Sequence, residues 1–395
     1  MLLNLISASL LAVPALALPH TGLGVSKRQD CPAPGQAAGA TELPDPFTNS
    51  AGTPITTAAE FTCRQQELFQ LFQDSELGEK PGAPESVTAS ASGNGLTINV
   101  SNGGSSISFS VSISYPSGGS EPYPAIIAYG FPSIPVPAGV ATITFNNDDI
   151  AAQQNTGSRG RGKFYDLYGS DHTASAMTAW AWGVSRIIDA LEATPNARIN
   201  PERIGVTGCS RNGKGAFIAG AFDERVALTL PQESGSGGSA CWRLSDEQKR
   251  QGQNVQTASQ IITENVWFSR AFEQYVNDVT QLPVDHHELA ALVAPRGLYV
   301  IENTDMEWLG NWSCYGCMVA GHKIYEALGV PDNMGFSQVG GHNHCQFPGA
   351  QNEELNAFIT KFLLDGDANT AVMRTDGNLQ FDEAQWCPWE VPTLA

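Results

Sequence analysis

The segment GCSRNG at residues 208–213 directly follows the short apolar run 204–207. A serine in a tight turn between a buried strand and a helix is typical of a nucleophile elbow, which presents its hydroxyl to an acyl carbon. The match to the usual G-x-S-x-G pattern is incomplete, because Asn212 stands where the second glycine would be. Ser210 is the predicted nucleophile.

The same turn also fits a phosphate-binding loop, since residues 208–214 read Gly-x4-Gly-Lys. Gly215, however, replaces the Ser or Thr that would bind Mg²⁺ in such a loop. The chain has 40 acidic and 21 basic residues and a net charge of -19. Because this surface repels polyanions, the charge excludes a nucleic-acid partner and disfavours the phosphate interpretation.

A serine hydroxyl becomes a good nucleophile only when a base accepts its proton. His342 and His344 follow the apolar run 334–339, near the C-terminus, where an α/β-hydrolase carries its histidine. We favour His344, because a disulfide from Cys345 to Cys209 would fasten this histidine beside the serine and contribute about 4 to 5 kcal/mol. The alternative is a histidine metal pair, for which the sequence offers no third ligand.

The carboxylate that orients the histidine has two candidate positions. Asp305 and Glu307 follow the predicted strand 297–302, where α/β-hydrolases usually place the acid. Glu233 follows the predicted strand 226–230, which comes directly after the nucleophile helix. Composition does not decide between these two positions.

The elements that must position these residues are read from hydrophobic periodicity. Alternating patterns predict antiparallel strands near the N-terminal edge of a sheet, and continuous apolar runs predict strands buried on both faces. A long helix is predicted over residues 172–193, with Asp171 as its N-cap. The order of strands and helices predicts an α/β fold, a three-layer αβα sandwich of the α/β-hydrolase type with a mostly parallel central sheet. The predicted strands are 97–100, 107–115, 125–129, 140–145, 204–207, 226–230, 297–302 and 334–339, and the further predicted helices are 214–222 and 353–364.

The N-terminus predicts export and no membrane-spanning segment. Residues 1–17 form an apolar stretch that is broken by Pro14 and ends in small residues, as a signal peptide does. Residues 18–28 end in Lys27-Arg28 and are predicted to be a propeptide, which leaves 29–395 as a single catalytic domain. Within it, residues 30–60 are expected to wrap the surface as irregular structure or to act as a tether.

An extracellular location has two further consequences. The eight cysteines are expected to form disulfides, since the outside of the cell is oxidising, and the Cys314-x-x-Cys317 spacing is a weak indication of a redox or zinc site. Asn99 and Asn311 begin sequons for N-glycosylation.

Three motifs together resemble the fungal glucuronoyl esterases of carbohydrate esterase family 15. They are GCSRNGKG at 208–215, PQESG at 231–235 and HC at 344–345. The resemblance runs from about residue 30 to the C-terminus and implies a nucleophile at Ser210, an acid at Glu233 and a base at His344.

The resemblance also implies roles for residues around this triad. Arg211 would stabilise the oxyanion, a role that suits a cation next to developing negative charge. Lys214, Gln256, Glu264 and Trp308 would bind the hydroxyls and the ring of a glucuronate. The implied disulfides are Cys31–Cys63, Cys209–Cys345, Cys241–Cys317 and, from the two remaining cysteines, Cys314–Cys387.

The implied function is a secreted, monomeric serine esterase that cleaves esters between 4-O-methyl-glucuronic acid on xylan and lignin alcohols. Its partners would be glucuronoxylan and lignin–carbohydrate esters, and no metal or cofactor is expected. The alternatives are an acetylxylan or feruloyl-type esterase, or a non-catalytic carbohydrate-binding protein on a hydrolase scaffold.

Overall fold

The apolar runs of the chain assemble into one mixed sheet in a computed structural model, which describes residue 31 and residues 39–394. The described residues contain ten strands in this sheet, which lie side by side in the order 1-2-3-5-4-6-7-8-9-10. In chain order they are β1 (Ser86–Ser92), β2 (Gly95–Asn102), β3 (Ser105–Ser114), β4 (Tyr123–Tyr129), β5 (Ala141–Phe145), β6 (Ile199–Cys209), β7 (Val226–Gln232), β8 (Gly297–Glu302), β9 (Met334–Gln338) and β10 (Met373–Thr375).

The direction of the strands follows their sequence patterns. Strands β1, β2 and β3 pair antiparallel, and β3 joins the rest of the sheet by an antiparallel pairing with β5. From β5 to β10 all neighbours are parallel, so their carboxyl ends meet at one edge. The α/β-hydrolase architecture with an antiparallel N-terminal edge is confirmed. The sequence analysis missed β1, which is rich in serine, and the three-residue edge strand β10.

Helices cover both faces of this sheet. On one face, α4 (Ala176–Ala193), α5 (Arg211–Phe222), α8 (His287–Val293) and α9 (Asn311–Ala327) contribute to a large apolar core. On the other face, α10 (Asn352–Leu363) packs against the sheet. In chain order the α-helices of the described residues are α1 (Ala58–Phe72), α2 (Asn147–Ile150), α3 (Lys163–Tyr168), α4 (Ala176–Ala193), α5 (Arg211–Phe222), α6 (Trp242–Arg250), α7 (Ala258–Glu264), α8 (His287–Val293), α9 (Asn311–Ala327), α10 (Asn352–Leu363) and α11 (Glu383–Trp386).

The start of α4 differs from the prediction. The N-cap is Ser175, whose hydroxyl accepts a hydrogen bond from the Thr178 N–H at 3.1 Å. Asp171 lies in a turn four residues earlier, so its assignment as the N-cap is wrong. A serine in extended backbone caps as well as an aspartate, which is why residue type alone did not separate the two.

Residues 39–57 are irregular apart from a single bridge between Thr48 and Pro54, as predicted for this part of the 30–60 segment. The segment packs against the core through buried side chains, Phe47 among them. Helix α1 then starts with a capping box in which Thr57 and Glu60 satisfy each other's backbone N–H groups. This Thr-x-x-Glu pattern was a sequence signal for a helix that the periodicity analysis missed.

The disulfides agree with the prediction except at one pair. Bonds join Cys209 to Cys345 and Cys241 to Cys317, and Cys31 and Cys63 are both disulfide-bonded as well. The predicted Cys314–Cys387 bond is wrong, because both residues are free, buried thiols.

The two thiols lie on different sides of α9. The thiol of Cys314 faces the Ser239 hydroxyl at 3.4 Å. Trp312, which contacts Trp386 beside Cys387, lies two residues earlier in α9. Two residues correspond to roughly 200° around a helix, so Cys314 points away from the C-terminal segment.

The predicted signal peptide (1–17) and propeptide (18–28) lie outside the described residues. No helix in the described part of the chain is long and apolar enough to cross a bilayer. The two sequons differ in their surroundings. Asn99 is exposed on β2, whereas the side-chain amide of Asn311 donates to the Thr304 carbonyl at 2.9 Å.

Candidate active site

Ser210 lies in a strained turn between β6 and α5. Its φ of 60° and ψ of -128° fall in a region that L-residues rarely adopt, as in a nucleophile elbow. The turn is tight, since a Cβ atom at Gly213 would lie 2.6 Å from the carbonyl oxygen of Gln232. The Ser210 N–H donates to that same carbonyl at 3.0 Å, which fixes the turn to the end of β7.

Asn212 explains the departure from the G-x-S-x-G pattern. Its side-chain oxygen accepts a hydrogen bond from the Asn147 amide at 3.1 Å, and its nitrogen donates to the Tyr129 carbonyl at 3.3 Å. The residue therefore ties the first turn of α5 to the end of β4, a contact that glycine could not make.

Glu233 is the carboxylate that contacts the histidine. It follows β7 with a φ of 44°, and it is fully buried. Its Oε2 accepts hydrogen bonds from His344 Nδ1 at 2.7 Å and from the Cys345 N–H at 3.1 Å. The geometry therefore orients the ring of His344 and leaves its Nε2 without a hydrogen-bond partner among residues 39–394.

The competing candidates have hydrogen-bond partners of their own. Asp305 accepts from the Gly341 N–H at 2.6 Å, and Glu307 accepts from the Asn254 N–H at 3.0 Å. His342 donates from Nε2 to the Val339 carbonyl at 2.9 Å, and its Nδ1 lies 3.7 Å from Glu233 Oε1, beyond hydrogen-bond distance. Of the carboxylates and histidines considered, the structure pairs only Glu233 with His344 through a short hydrogen bond.

The Cys209–Cys345 disulfide brings the serine turn and the histidine loop together. The Cα atoms of the two cysteines are 5.7 Å apart, and a ring nitrogen of His344 lies within 4.8 Å of both sulfur atoms. Because both sulfurs are consumed in the bond, neither offers a thiolate to a metal ion. Within the described residues Ser210 Oγ makes no hydrogen bond to His344.

Arg211 lies at the start of α5 and is exposed. Within residues 39–394 its guanidinium makes no ion pair or hydrogen bond, unlike a typical structural arginine. Both its cation and the free N–H groups at the helix start can meet an anion above Ser210.

Lys214 lies one helical turn beyond Ser210, but its side chain is 97% buried, with 3% exposed. Its ammonium donates to the carbonyls of Ser234 and, at 2.7 Å, of Ser236. Burial lowers the pKa of Lys214 to about 8, against the attraction of the Glu302 carboxylate. The ammonium points to residues 234–236 and not to the start of α5. Lys214 is therefore not placed to bind a phosphate there, which removes the support for the phosphate-loop interpretation.

Residues 233–240, here called the acid loop, are fully buried and held by groups that sequence reasoning missed. Glu302 Oε1 accepts from the backbone N–H groups of Ser234 at 2.8 Å and Gly235 at 3.3 Å, and from the Ser239 hydroxyl. Burial raises the pKa of Glu302. A carboxylate at the end of an otherwise apolar strand was the available signal.

A buried histidine holds the far end of the acid loop. His286 donates from Nδ1 to the Gly238 carbonyl and from Nε2 to the Glu76 carboxylate, both at 2.7 Å. Only an imidazolium donates from both nitrogens, so His286 is charged here. The indole N–H of Trp242 also donates to Glu76, at 3.0 Å.

The remaining predicted substrate residues lie together beside His344. Gln256 precedes α7 and donates to the Glu264 carboxylate at 2.5 Å, and its backbone N–H donates to the Trp308 carbonyl at 3.1 Å. Trp308 is 44% exposed, and its ring meets that of His344 edge-on at 5.5 Å between centroids. They form a polar wall with one open aromatic face, a surface suited to a sugar ring.

Comparison with known proteins places this geometry in a family. The family model described as fungal glucuronyl esterase matches residues 98–329. The chain belongs to that family. It is 61% identical to the 4-O-methyl-glucuronoyl methylesterase of Hypocrea jecorina over 90% of this chain and 76% of the relative. It is 56% identical to that of Schizophyllum commune over 98% and 99%.

Solved structures of family members share the fold. The glucuronoyl esterase catalytic domain from Hypocrea jecorina superposes with a TM-score of 0.90 at 59% identity, over 92% of this chain and 100% of that one. A serine-to-alanine variant of the Sporotrichum thermophile glucuronoyl esterase, in complex with methyl 4-O-methyl-β-D-glucopyranuronate, gives 0.90 at 55% identity over 93% and 100%.

Proposed function

We propose that this protein is a secreted 4-O-methyl-glucuronoyl esterase that hydrolyses its substrate through a serine nucleophile. The observation that carries the proposal is the oriented Glu233–His344 pair, fastened by a disulfide beside the strained Ser210 turn. The names of the relatives and the uronate ester bound to a serine variant of one neighbour support the same activity.

In the first half of the reaction, the Ser210 hydroxyl attacks the C6 carbonyl carbon of the uronate ester while His344 Nε2 takes its proton. The tetrahedral intermediate collapses, the C–O bond to the alcohol breaks, and His344 returns the proton to the leaving alkoxide. Water then attacks the glucuronoyl ester of Ser210 by the reverse proton path and releases the free acid. Glu233 keeps Nδ1 protonated and stabilises the imidazolium throughout.

In both halves of the reaction, negative charge develops on the carbonyl oxygen and must be stabilised. Arg211 is exposed and, within the described residues, unpaired, so its guanidinium and backbone N–H are available for this oxyanion. A preorganised donor at such a position contributes about 3 to 4 kcal/mol to the transition state.

The sugar would lie against Trp308, with its hydroxyls on Gln256 and Glu264. Two protons of the Lys214 ammonium are already bound by the acid loop, which leaves one for a substrate oxygen. Lys214 therefore mainly holds the acid loop, and its remaining proton is available to the sugar. The natural substrate would be the ester between glucuronoxylan and lignin alcohols, met outside the cell by a monomeric enzyme whose disulfides suit an oxidising environment.

The test compares Ser210→Ala with the unaltered protein on methyl 4-O-methyl-glucuronate, methyl galacturonate and an acetylated xylan. We expect hydrolysis of the glucuronate ester to exceed that of the other two, and the variant to lose at least about 10³-fold in kcat. Preference for the acetyl ester would indicate an acetylxylan esterase. Binding of the uronate with no turnover by the unaltered protein would indicate a carbohydrate-binding protein.

A further inference from the structure

An exposed phenylalanine follows the strand next to the one that ends at the nucleophile, on the side away from the polar wall. Four large apolar side chains are exposed among the described residues, Phe131 at 61%, Trp308 at 44%, Leu364 at 41% and Val391 at 39%. Two of these four, Phe131 and Trp308, follow strands that end at the active-site edge of the sheet. An aromatic ring left in water at such a place is a candidate contact for a ligand.

The strand pairing places Phe131 and Ser210 at the same edge of the sheet. Strands β4 and β6 pair in parallel, with Ala128 opposite Thr207. Strand β4 ends at Tyr129 and β6 at Cys209, so Phe131 and Ser210 both lie just beyond the carboxyl ends of these neighbouring strands. A hydrogen bond supports this placement, since the side-chain nitrogen of Asn212 donates to the Tyr129 carbonyl, two residues before Phe131, at 3.3 Å.

The order of strands puts the two exposed rings on opposite sides of the nucleophile. Strand β6, which ends at Ser210, lies between β4 and β7, and β8 follows β7. Glu233 follows β7 and Trp308 follows β8, so the polar wall lies on one side of Ser210 and Phe131 on the other.

An ester bound at Ser210 extends on both sides of its carbonyl carbon. Its acyl half and its alkoxy half leave the carbonyl carbon about 120° apart, since that carbon is trigonal. If the uronate lies on the polar wall, as the proposed function requires, the alkoxy half points towards the end of β4. The exposed side chain there is apolar and flat, and such a ring pairs well with another aromatic ring.

We propose that Phe131 binds the aromatic ring of the alcohol half of the substrate and sets a preference for arylalkyl esters. This inference rests on the proposed function and adds to it a residue that selects the leaving group. Phe131 contributes a contact surface only, and it takes no part in proton transfer.

The experiment measures kcat/KM on the benzyl and methyl esters of glucuronic acid for the unaltered protein, Phe131→Ala and Phe131→Tyr. We expect Phe131→Ala to lower the benzyl-to-methyl ratio by about five- to tenfold, the value of one aromatic pair. Phe131→Tyr should keep the ratio within about twofold, because it keeps the ring. Leu364→Ala is the matched control, an exposed apolar side chain on another part of the surface, and should leave the ratio unchanged.

A direct binding measurement accompanies the rates. Inhibition of methyl ester hydrolysis by benzyl alcohol should weaken about fivefold in Phe131→Ala. An unchanged ratio together with unchanged inhibition would overturn the role of Phe131 while leaving the esterase proposal intact. Failure of the unaltered protein to hydrolyse either ester would instead overturn the proposed function itself.

Discussion

Two glutamate–histidine pairs in this molecule have the same nitrogen–oxygen distance and different surroundings. His344 donates to Glu233 at 2.7 Å, and His286 donates to Glu76 at 2.7 Å. The imidazole of His344 is 26% exposed, whereas that of His286 is fully buried. The distance between the partners therefore says nothing about their role.

The second ring nitrogen makes the difference. In His286 it is occupied by the Gly238 carbonyl, so the ring is charged and has no site to accept a proton. In His344 it is unbonded among the described residues. A buried pair with both histidine nitrogens hydrogen-bonded holds a loop, and a pair whose histidine is partly exposed with one nitrogen unbonded can transfer protons.

The substitution His344→Gln is expected to have the largest effect. We expect kcat on methyl glucuronate to fall about 10⁴-fold, because no group remains to take the serine proton. The free energy of unfolding should change by only about 1 kcal/mol, since the glutamine amide can still donate to Glu233. Steady-state rates and chemical denaturation measure the two effects. A variant that kept kcat within tenfold of the unaltered protein would remove His344 from the mechanism.

The complementary substitution, His286→Gln, should lower the stability strongly and change kcat little. It leaves the Glu76 carboxylate buried without its cation, which costs about 3 to 5 kcal/mol in the free energy of unfolding. The kcat should fall less than about tenfold, because His286 lies behind the acid loop and touches no reacting atom.

The double variant Glu76→Gln/His286→Gln is the control for this cost. It should be more stable than His286→Gln alone, because it leaves no unpaired buried charge. A loss of kcat in His286→Gln as large as that in His344→Gln, with stability unchanged, would show that the buried pair acts in catalysis.

The sequence predicted the first of these pairs and not the second, for a physical reason. Ser210 stands in a short segment whose glycines and strand-end position indicate a turn, and His344 was preferred to His342 because of the expected disulfide from Cys345 to Cys209. Choosing the acid required more, because Glu233 and Asp305 both follow parallel strands at the same edge of the sheet. Only the direction of each side chain separates them, and direction is set by tertiary packing.

Sequence patterns are equally insufficient for buried groups whose contacts are set by tertiary packing and that hold the active-site loops in place. The family resemblance implied a sugar contact for Lys214, yet its ammonium donates to the carbonyls of the acid loop. Glu76 and His286 are 210 residues apart, and no local pattern connects them. The pairing of Cys314 with Cys387 was wrong because elimination assumes that every cysteine is bonded.

The smallest expected effect is a pH dependence that separates the two histidines. Burial opposes the charge of His286, but the Glu76 carboxylate outweighs it, so the pKa of His286 is raised above its ordinary 6.5. Asp285 adds to this attraction, and His287 and Arg243 are the other ionisable groups packed nearby. A raised pKa means that the folded protein holds a proton that the unfolded chain releases. The stabilisation is therefore complete below pH 6.5 and is lost as the pH rises through the folded-state pKa.

This loss is measured as the difference in unfolding free energy between the unaltered protein and His286→Gln across a pH series. We expect the difference to shrink above pH 6.5, by no more than about 1.4 kcal/mol per pH unit, because one proton is involved. The same comparison with His344→Gln controls for a histidine substitution outside the buried pair. A difference that stayed constant or grew with rising pH would mean that His286 is neutral in the folded protein, and the contrast between the two pairs would then need another basis.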